Sequence, residues 1–92
     1  MDRIYLNDLF DLYRDLLSEK ECLVFIDYYQ NDLSLKEIAE NNNVTRNAIH
    51  KNLKNVENKL LTYEEKLNLY KKRKQILELI DKNDIIGIKK II

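Results

Sequence analysis

Proline is absent from the 92 residues, and Gly87 is the only glycine. Tight hairpin turns depend heavily on such residues, so their scarcity argues against a sheet of short connected strands. Leucine, isoleucine, lysine, glutamate and asparagine dominate instead, a composition that favours helix. The sequence therefore predicts an all-α fold, and its length predicts a single domain over residues 1–92.

Cysteine and histidine each occur once, as Cys22 and His50. One cysteine cannot form an internal disulfide, and the two residues together do not make a metal site of known spacing. A glycine-rich phosphate loop is also missing. We therefore expect a protein that is not an enzyme and holds no cofactor or metal. Without a basic leader or an apolar run of about 20 residues, we expect it to be cytoplasmic, with no membrane insertion.

Charge is unevenly distributed along the chain, although the formal net charge is zero. Residues 1–45 contain four basic and ten acidic side chains, whereas residues 46–92 contain twelve basic and six acidic ones. The second half includes an unbroken basic run from Lys71 to Lys74. A basic stripe of this kind can neutralise nucleic-acid phosphates, and the alternative is a solvated helix face.

Two short helices separated by a tight turn are predicted over residues 34–54. Ser34 precedes Glu37 by three residues, which is the capping-box pattern that starts a helix. The asparagines at 41–43 then interrupt the apolar pattern, because asparagine tolerates the left-handed conformation of a helix end. Thr45 can cap the helix that follows. This arrangement is typical of a helix-turn-helix.

The second helix of that motif carries the candidate nucleic-acid-binding residues. In a docked helix-turn-helix, the start of this helix faces base edges and its flanks reach phosphates. A guanidinium can bind guanine and an amide can bind adenine, so Arg46 and Asn47 are candidates for base contacts. Lys51 and Lys54 suit phosphates, and His50 can contact a base or face water. The predicted set is Thr45, Arg46, Asn47, His50, Lys51 and Lys54.

A further apolar pattern continues beyond the motif. From Ile49 to Tyr70, apolar residues alternate four and three positions apart, which is the spacing of a heptad seam. We therefore expect one long helix over residues 46–80. A second copy of the chain would cover its apolar stripe and make a homodimer. The predicted dimer seam consists of Leu53, Val56, Leu60, Tyr63, Leu67 and Tyr70.

The C-terminal segment is a competing cover for that stripe. Lys82, Asn83 and Asp84 are typical of a helix break, and the apolar tail over residues 84–92 is rich in isoleucine. The tail can dock on the long helix or bind a partner. Attachment to a membrane surface is a third alternative.

Two resemblances to known families involve these segments. Residues 33–40, Leu-Ser-Leu-Lys-Glu-Ile-Ala-Glu, and residues 44–49, Val-Thr-Arg-Asn-Ala-Ile, resemble region 4 of sigma factors. In this chain Asn43 stands where that region usually has a turn glycine. A second resemblance, to the YlxM family of small bacterial helix-turn-helix proteins, extends over nearly the whole chain. It also rests on Leu-Phe-Asp-Leu-Tyr at 9–13, Leu-Leu-Ser-Glu-Lys-Glu at 16–21, Tyr-Tyr at 28–29 and Tyr-Glu-Glu-Lys-Leu-Asn-Leu-Tyr at 63–70.

The YlxM resemblance implies an all-helical, dimeric protein associated with the signal recognition particle pathway. Two functions of different classes then compete. In the first, the chain is a regulator that binds DNA or RNA through residues 45–54. In the second, it is a non-catalytic interaction module that has lost DNA binding and acts as a dimer on the protein or RNA of the particle. The acidic first half makes the second credible, because it would repel a nucleic-acid backbone.

Overall fold

The computed structural model describes residues 2–91, and over that range the protein forms helices and no strand. The all-α prediction is therefore confirmed. A short 3₁₀ turn, Arg14–Leu16, follows the first helix. In chain order the α-helices are α1 (Arg3–Tyr13), α2 (Glu19–Tyr29), α3 (Leu35–Asn41), α4 (Arg46–Leu67), α5 (Leu69–Asp81) and α6 (Ile85–Ile91).

Capping boxes fix where α2 and α3 begin. The Ser18 hydroxyl accepts a hydrogen bond from the Glu21 backbone N–H at 3.1 Å, and the Glu21 carboxylate accepts one from the Ser18 N–H at 2.9 Å. Ser34 and Glu37 repeat the arrangement at the start of α3, with both distances 3.1 Å. Each box satisfies amides that have no partner within the helix, so these boundaries are set locally.

The larger core forms where α1 and α2 pack on the middle of α4. Phe10 and Phe25 are fully buried, and their rings stack with centroids 4.3 Å apart. Leu60 of α4 is buried in the same cluster. A smaller second core fills the angle between α3 and α4 and extends to α2. Its buried members are Val24, Ile38, Ala39, Ile49 and Leu53.

The structure corrects the predicted dimer seam at Leu53, Val56 and Leu60. All three side chains are at most 4% exposed in a single chain, where the two cores bury them. Tyr63 and Tyr70 are half-buried and contact α1 or its 3₁₀ turn, Tyr63 through a hydroxyl that donates to the Leu16 carbonyl at 3.3 Å. The heptad spacing from Leu53 to Leu60 therefore describes packing within one chain, because α1 and α2 cover that part of the stripe, whereas Leu67 stays 45% exposed.

The expected long helix over residues 46–80 is also wrong, since it is broken at Asn68. This residue adopts the left-handed conformation, with φ of 56°, and its N–H still bonds to the Glu64 carbonyl at 2.8 Å. The chain then begins a new helix at Leu69. Asparagine accepts this conformation at small cost, so α4 can end without glycine or proline.

Side chains from outside α5 cap its first turn. The buried Glu64 carboxylate accepts hydrogen bonds from the Tyr70 N–H at 2.9 Å and the Lys71 N–H at 3.2 Å. The Tyr13 hydroxyl accepts one from the Leu69 N–H at 3.0 Å and donates to Glu64 at 2.7 Å. Burial, together with the hydrogen bond to Glu64, raises the pKa of Tyr13 to about 12. The break is thus stabilised by α1, far away in sequence.

The C-terminal tail folds back on α5, but it does not bury the apolar stripe of α4 as the competing interpretation expected, because α1 and α2 do so. Asn83 takes a left-handed conformation, and the Asp84 carboxylate accepts a hydrogen bond from the Gly87 N–H at 2.8 Å. A Cβ at Gly87 would lie 3.1 Å from Leu79 Cδ2, so glycine permits the close approach of α6 to α5. Within residues 2–91, no helix has the length and apolar character needed to cross a membrane.

Removing the Tyr13 hydroxyl tests the junction between α4 and α5. Tyr13→Phe should lower the free energy of unfolding by about 1–3 kcal/mol, because it leaves the Leu69 N–H and the buried Glu64 each short of a partner. Denaturant titration measures this loss. Tyr63→Phe is the matched control, since its hydroxyl makes one exposed hydrogen bond. Equal losses in the two variants would contradict the assigned role.

Candidate nucleic-acid interface

The turn between α3 and α4 is closed by backbone and amide hydrogen bonds. Asn43 supplies the left-handed conformation, with φ of 54°. The Val44 N–H then reaches back to the Ala39 carbonyl at 3.1 Å. The Asn42 side-chain amide donates to the Ile38 carbonyl at 2.7 Å. These bonds satisfy the end of α3 and fix the angle at which the chain enters α4.

Thr45 caps α4. Its backbone is extended, and its hydroxyl oxygen accepts a hydrogen bond from the Ala48 N–H at 3.1 Å. The cap makes Arg46 the first helical residue. The predicted base-contacting pair, Arg46 and Asn47, is thereby placed in the first turn, where a docked helix-turn-helix presents its side chains to a groove.

All six residues predicted to bind nucleic acid are exposed, from Thr45 to Lys54. Thr45 is the cap, and the other five lie in two rows on α4, because helical residues four apart share a face. One row contains Arg46, His50 and Lys54. The other contains Asn47 and Lys51, which point further from the core.

The structure places two residues that were not predicted from the sequence beside the row of Arg46, His50 and Lys54. His50 and Lys54 line a cleft of about 430 Å³, together with Arg3 of α1 and Tyr28 of α2. Arg3 and Tyr28 are far from α4 in sequence, and no local pattern connects them with the motif. Only the packing of α1 and α2 beside α4 brings them to the interface.

The charge of Lys54 is already paired within the chain. Its ammonium lies 3.5 Å from the carboxylate of Glu57, one turn further along α4. Glu57 is 8% exposed and also accepts a hydrogen bond from the Tyr29 hydroxyl. Burial, and secondarily this hydrogen bond, raise the pKa of Tyr29, so its hydroxyl stays protonated and donates. Lys54 is therefore less free to bind a phosphate than its position in the sequence indicated.

Arg46 and Lys51 have no such restraint. Both are exposed, and neither takes part in a salt bridge among residues 2–91. Their side chains can approach a nucleic acid without first leaving a carboxylate. Within the same range, no three His, Cys, Asp or Glu side chains are grouped to hold a metal ion.

The fold and this surface define a class, the all-helical proteins with a helix-turn-helix. A family model, UPF0122, described as "Putative helix-turn-helix protein, YlxM / p13 like", matches residues 1–90. The chain belongs to this family.

Relatives in several bacteria agree with that assignment. A UPF0122 protein of Malacoplasma penetrans is 43% identical over 89 residues, covering 94% of this chain and 83% of the relative. One of Clostridium botulinum is 51% identical over 71 residues, covering 77% of this chain and 65% of the relative. One of Fusobacterium nucleatum is 48% identical over 75 residues, covering 80% and 73%. The matched segments thus leave part of each relative's length uncovered.

The Thr45 cap can be tested separately from binding. Thr45→Ala should lower the free energy of unfolding by about 1 kcal/mol, because it removes the acceptor for the Ala48 N–H. Thermal unfolding followed by circular dichroism measures the change. Thr62→Ala, at an exposed position in the C-terminal third of α4, should be neutral or slightly stabilising, since alanine is the better helix former. The same loss in both variants would refute the capping role.

Proposed function

We propose that this chain is a regulatory protein that binds nucleic acid through the start of α4. The observation that carries the proposal is the pair Arg46 and Lys51, exposed and free of salt bridges among the described residues. The Thr45 cap and the turn at Asn43 hold the backbone of that pair in place. A rigid backbone reduces the entropy lost on binding.

In this proposal Arg46 and Asn47 contact base edges, whereas Lys51 neutralises a phosphate. His50 and Lys54 act at the flank, on the side of the cleft. The family description as a helix-turn-helix protein supports such a role. We further propose that binding alone, without catalysis, accounts for the activity of this surface.

The double variant Arg46→Ala/Lys51→Ala tests this function. Its affinity for a duplex should fall about tenfold or more. The slope of log K against log salt concentration should also become shallower, by about 1 to 2. Fluorescence anisotropy at several salt concentrations measures both, with duplex DNA, duplex RNA and signal recognition particle RNA as probes. The last is included because the sequence resemblance implied that partner.

Lys20→Ala/Lys66→Ala is the matched control. It removes the same number of charges at exposed positions outside the helix-turn-helix. Equal weakening in the two double variants would mean that only net charge matters. In that case the assignment of binding to α4 fails.

We propose that two copies of the chain associate through α5 and α6, and not through the apolar seam of α4. Large aliphatic side chains are exposed there, and the basic second half complements the acidic first half of another copy. This surface is also where a signal recognition particle protein would dock if the chain is an interaction module. Its exposed members include Leu69, Leu77, Ile80, Ile85 and Ile86, at 40–71% exposure.

The double variant Leu77→Lys/Ile80→Lys tests this surface. It should convert a dimer to a folded monomer in sedimentation velocity, because it places two charges in the contact. Leu23→Lys, at a similarly exposed leucine of α2, should leave the dimer intact. A monomeric wild type, or dissociation by Leu23→Lys alone, would contradict the proposal. A stable complex of monomeric wild type with the particle's protein would favour the interaction module instead.

A further inference from the structure

The cleft beside α4 has a shape and chemistry that the helix-turn-helix itself does not require. Its volume of about 430 Å³ lies within the range of small-ligand sites, roughly 300–1,000 Å³. It is built from α1, α2, α3 and α4, with Leu35 as the lining residue from α3, so it contains groups from four different helices. It adjoins the proposed binding surface because His50 and Lys54 belong to both.

Two flat side chains of the cleft are Arg3 and Tyr28. The Arg3 guanidinium is held by hydrogen bonds to the carbonyls of Tyr28 at 2.7 Å and Tyr29 at 3.3 Å, and to Asp32 at 3.0 Å. Its central carbon lies 5.8 Å from the Tyr28 ring centroid. The Arg3 side chain is still 50% exposed. A fixed guanidinium and an aromatic ring are the two kinds of surface on which nucleobases stack.

The charges of the cleft are balanced in pairs. Arg3 forms a salt bridge with Asp32, and Lys54 lies within 3.5 Å of the buried Glu57. A bare phosphate would have to compete with these two carboxylates. A neutral, flat ligand that can both donate and accept hydrogen bonds suits such a lining better, and a nucleobase is a ligand of this kind.

We propose that this cleft takes one unpaired base of an RNA, while the start of α4 binds the adjoining backbone. The proposal rests on the proposed function and narrows it to RNA with a bulge or loop. Unpaired bases are what sequence-specific RNA-binding proteins mostly recognise, since the paired major groove is too narrow to read. Lys51, on the same helix as His50, contacts a phosphate of that backbone, and Arg46 contacts a neighbouring base edge.

The test compares two RNA hairpins that differ by a single bulged 2-aminopurine. Wild-type protein should bind the bulged hairpin about tenfold more tightly than the fully paired one, as expected for stacking of one base. Fluorescence of the 2-aminopurine should be quenched on binding. The bulged preference should persist in Tyr28→Phe, which retains the ring, and disappear in Tyr28→Leu, which does not.

The outcomes separate this proposal from the proposed function. Arg46→Ala/Lys51→Ala should weaken both hairpins equally and leave the preference unchanged. If wild type binds both hairpins alike, or binds the bulged one without quenching, the cleft does not take a base, although α4 can still bind nucleic acid. If binding does not depend on Arg46 and Lys51, the proposed function fails. Quenching in wild type decides whether the cleft takes a base even if Tyr28→Leu does not fold. If the protein prefers a bulged DNA hairpin over a paired one to the same extent, the restriction of the ligand to RNA is wrong.

Discussion

The hydrogen bond between Tyr13 and Glu64 fixes how the two halves of the molecule are joined. Because Tyr13 belongs to α1 and Glu64 to α4, the pair ties the first helix to the end of the longest one. The same two side chains cap the first turn of α5, so the chain can turn at Asn68 without leaving buried amides unpaired. The direction of α5, and with it the placement of the basic run from Lys71, depends on this junction.

A second pair, Tyr29 and Glu57, lies one heptad earlier on α4 and has a different consequence. It holds the buried Glu57 carboxylate one turn beyond Lys54 on α4, and the two side chains pair. The six residues predicted from the sequence are therefore not equivalent. Arg46 and Lys51 are available for a polyanion, whereas Lys54 belongs to an internally balanced cleft. This division lets the proposed phosphate contact and the proposed base-binding cleft lie side by side on one helix.

Features set by neighbouring residues could be predicted from the sequence. The capping boxes at Ser18 and Ser34 and the asparagine turn before α4 follow from short-range hydrogen bonds. Features set by distant residues could not. The apolar spacing of α4 is the same whether α1 or a second copy covers it, so Leu60 was assigned to the wrong partner. The break at Asn68 lacked a glycine or proline signal, and its stabilising groups include Tyr13, which is 55 positions away.

The central claim is that α4, and not the basic run of α5, is the surface that meets nucleic acid. Amide chemical-shift mapping with an RNA hairpin tests it most directly, because every backbone N–H reports separately. The account predicts that the largest shifts fall on residues 45–54, with further shifts at Arg3 and Tyr28. Shifts confined to residues 71–74 would contradict it.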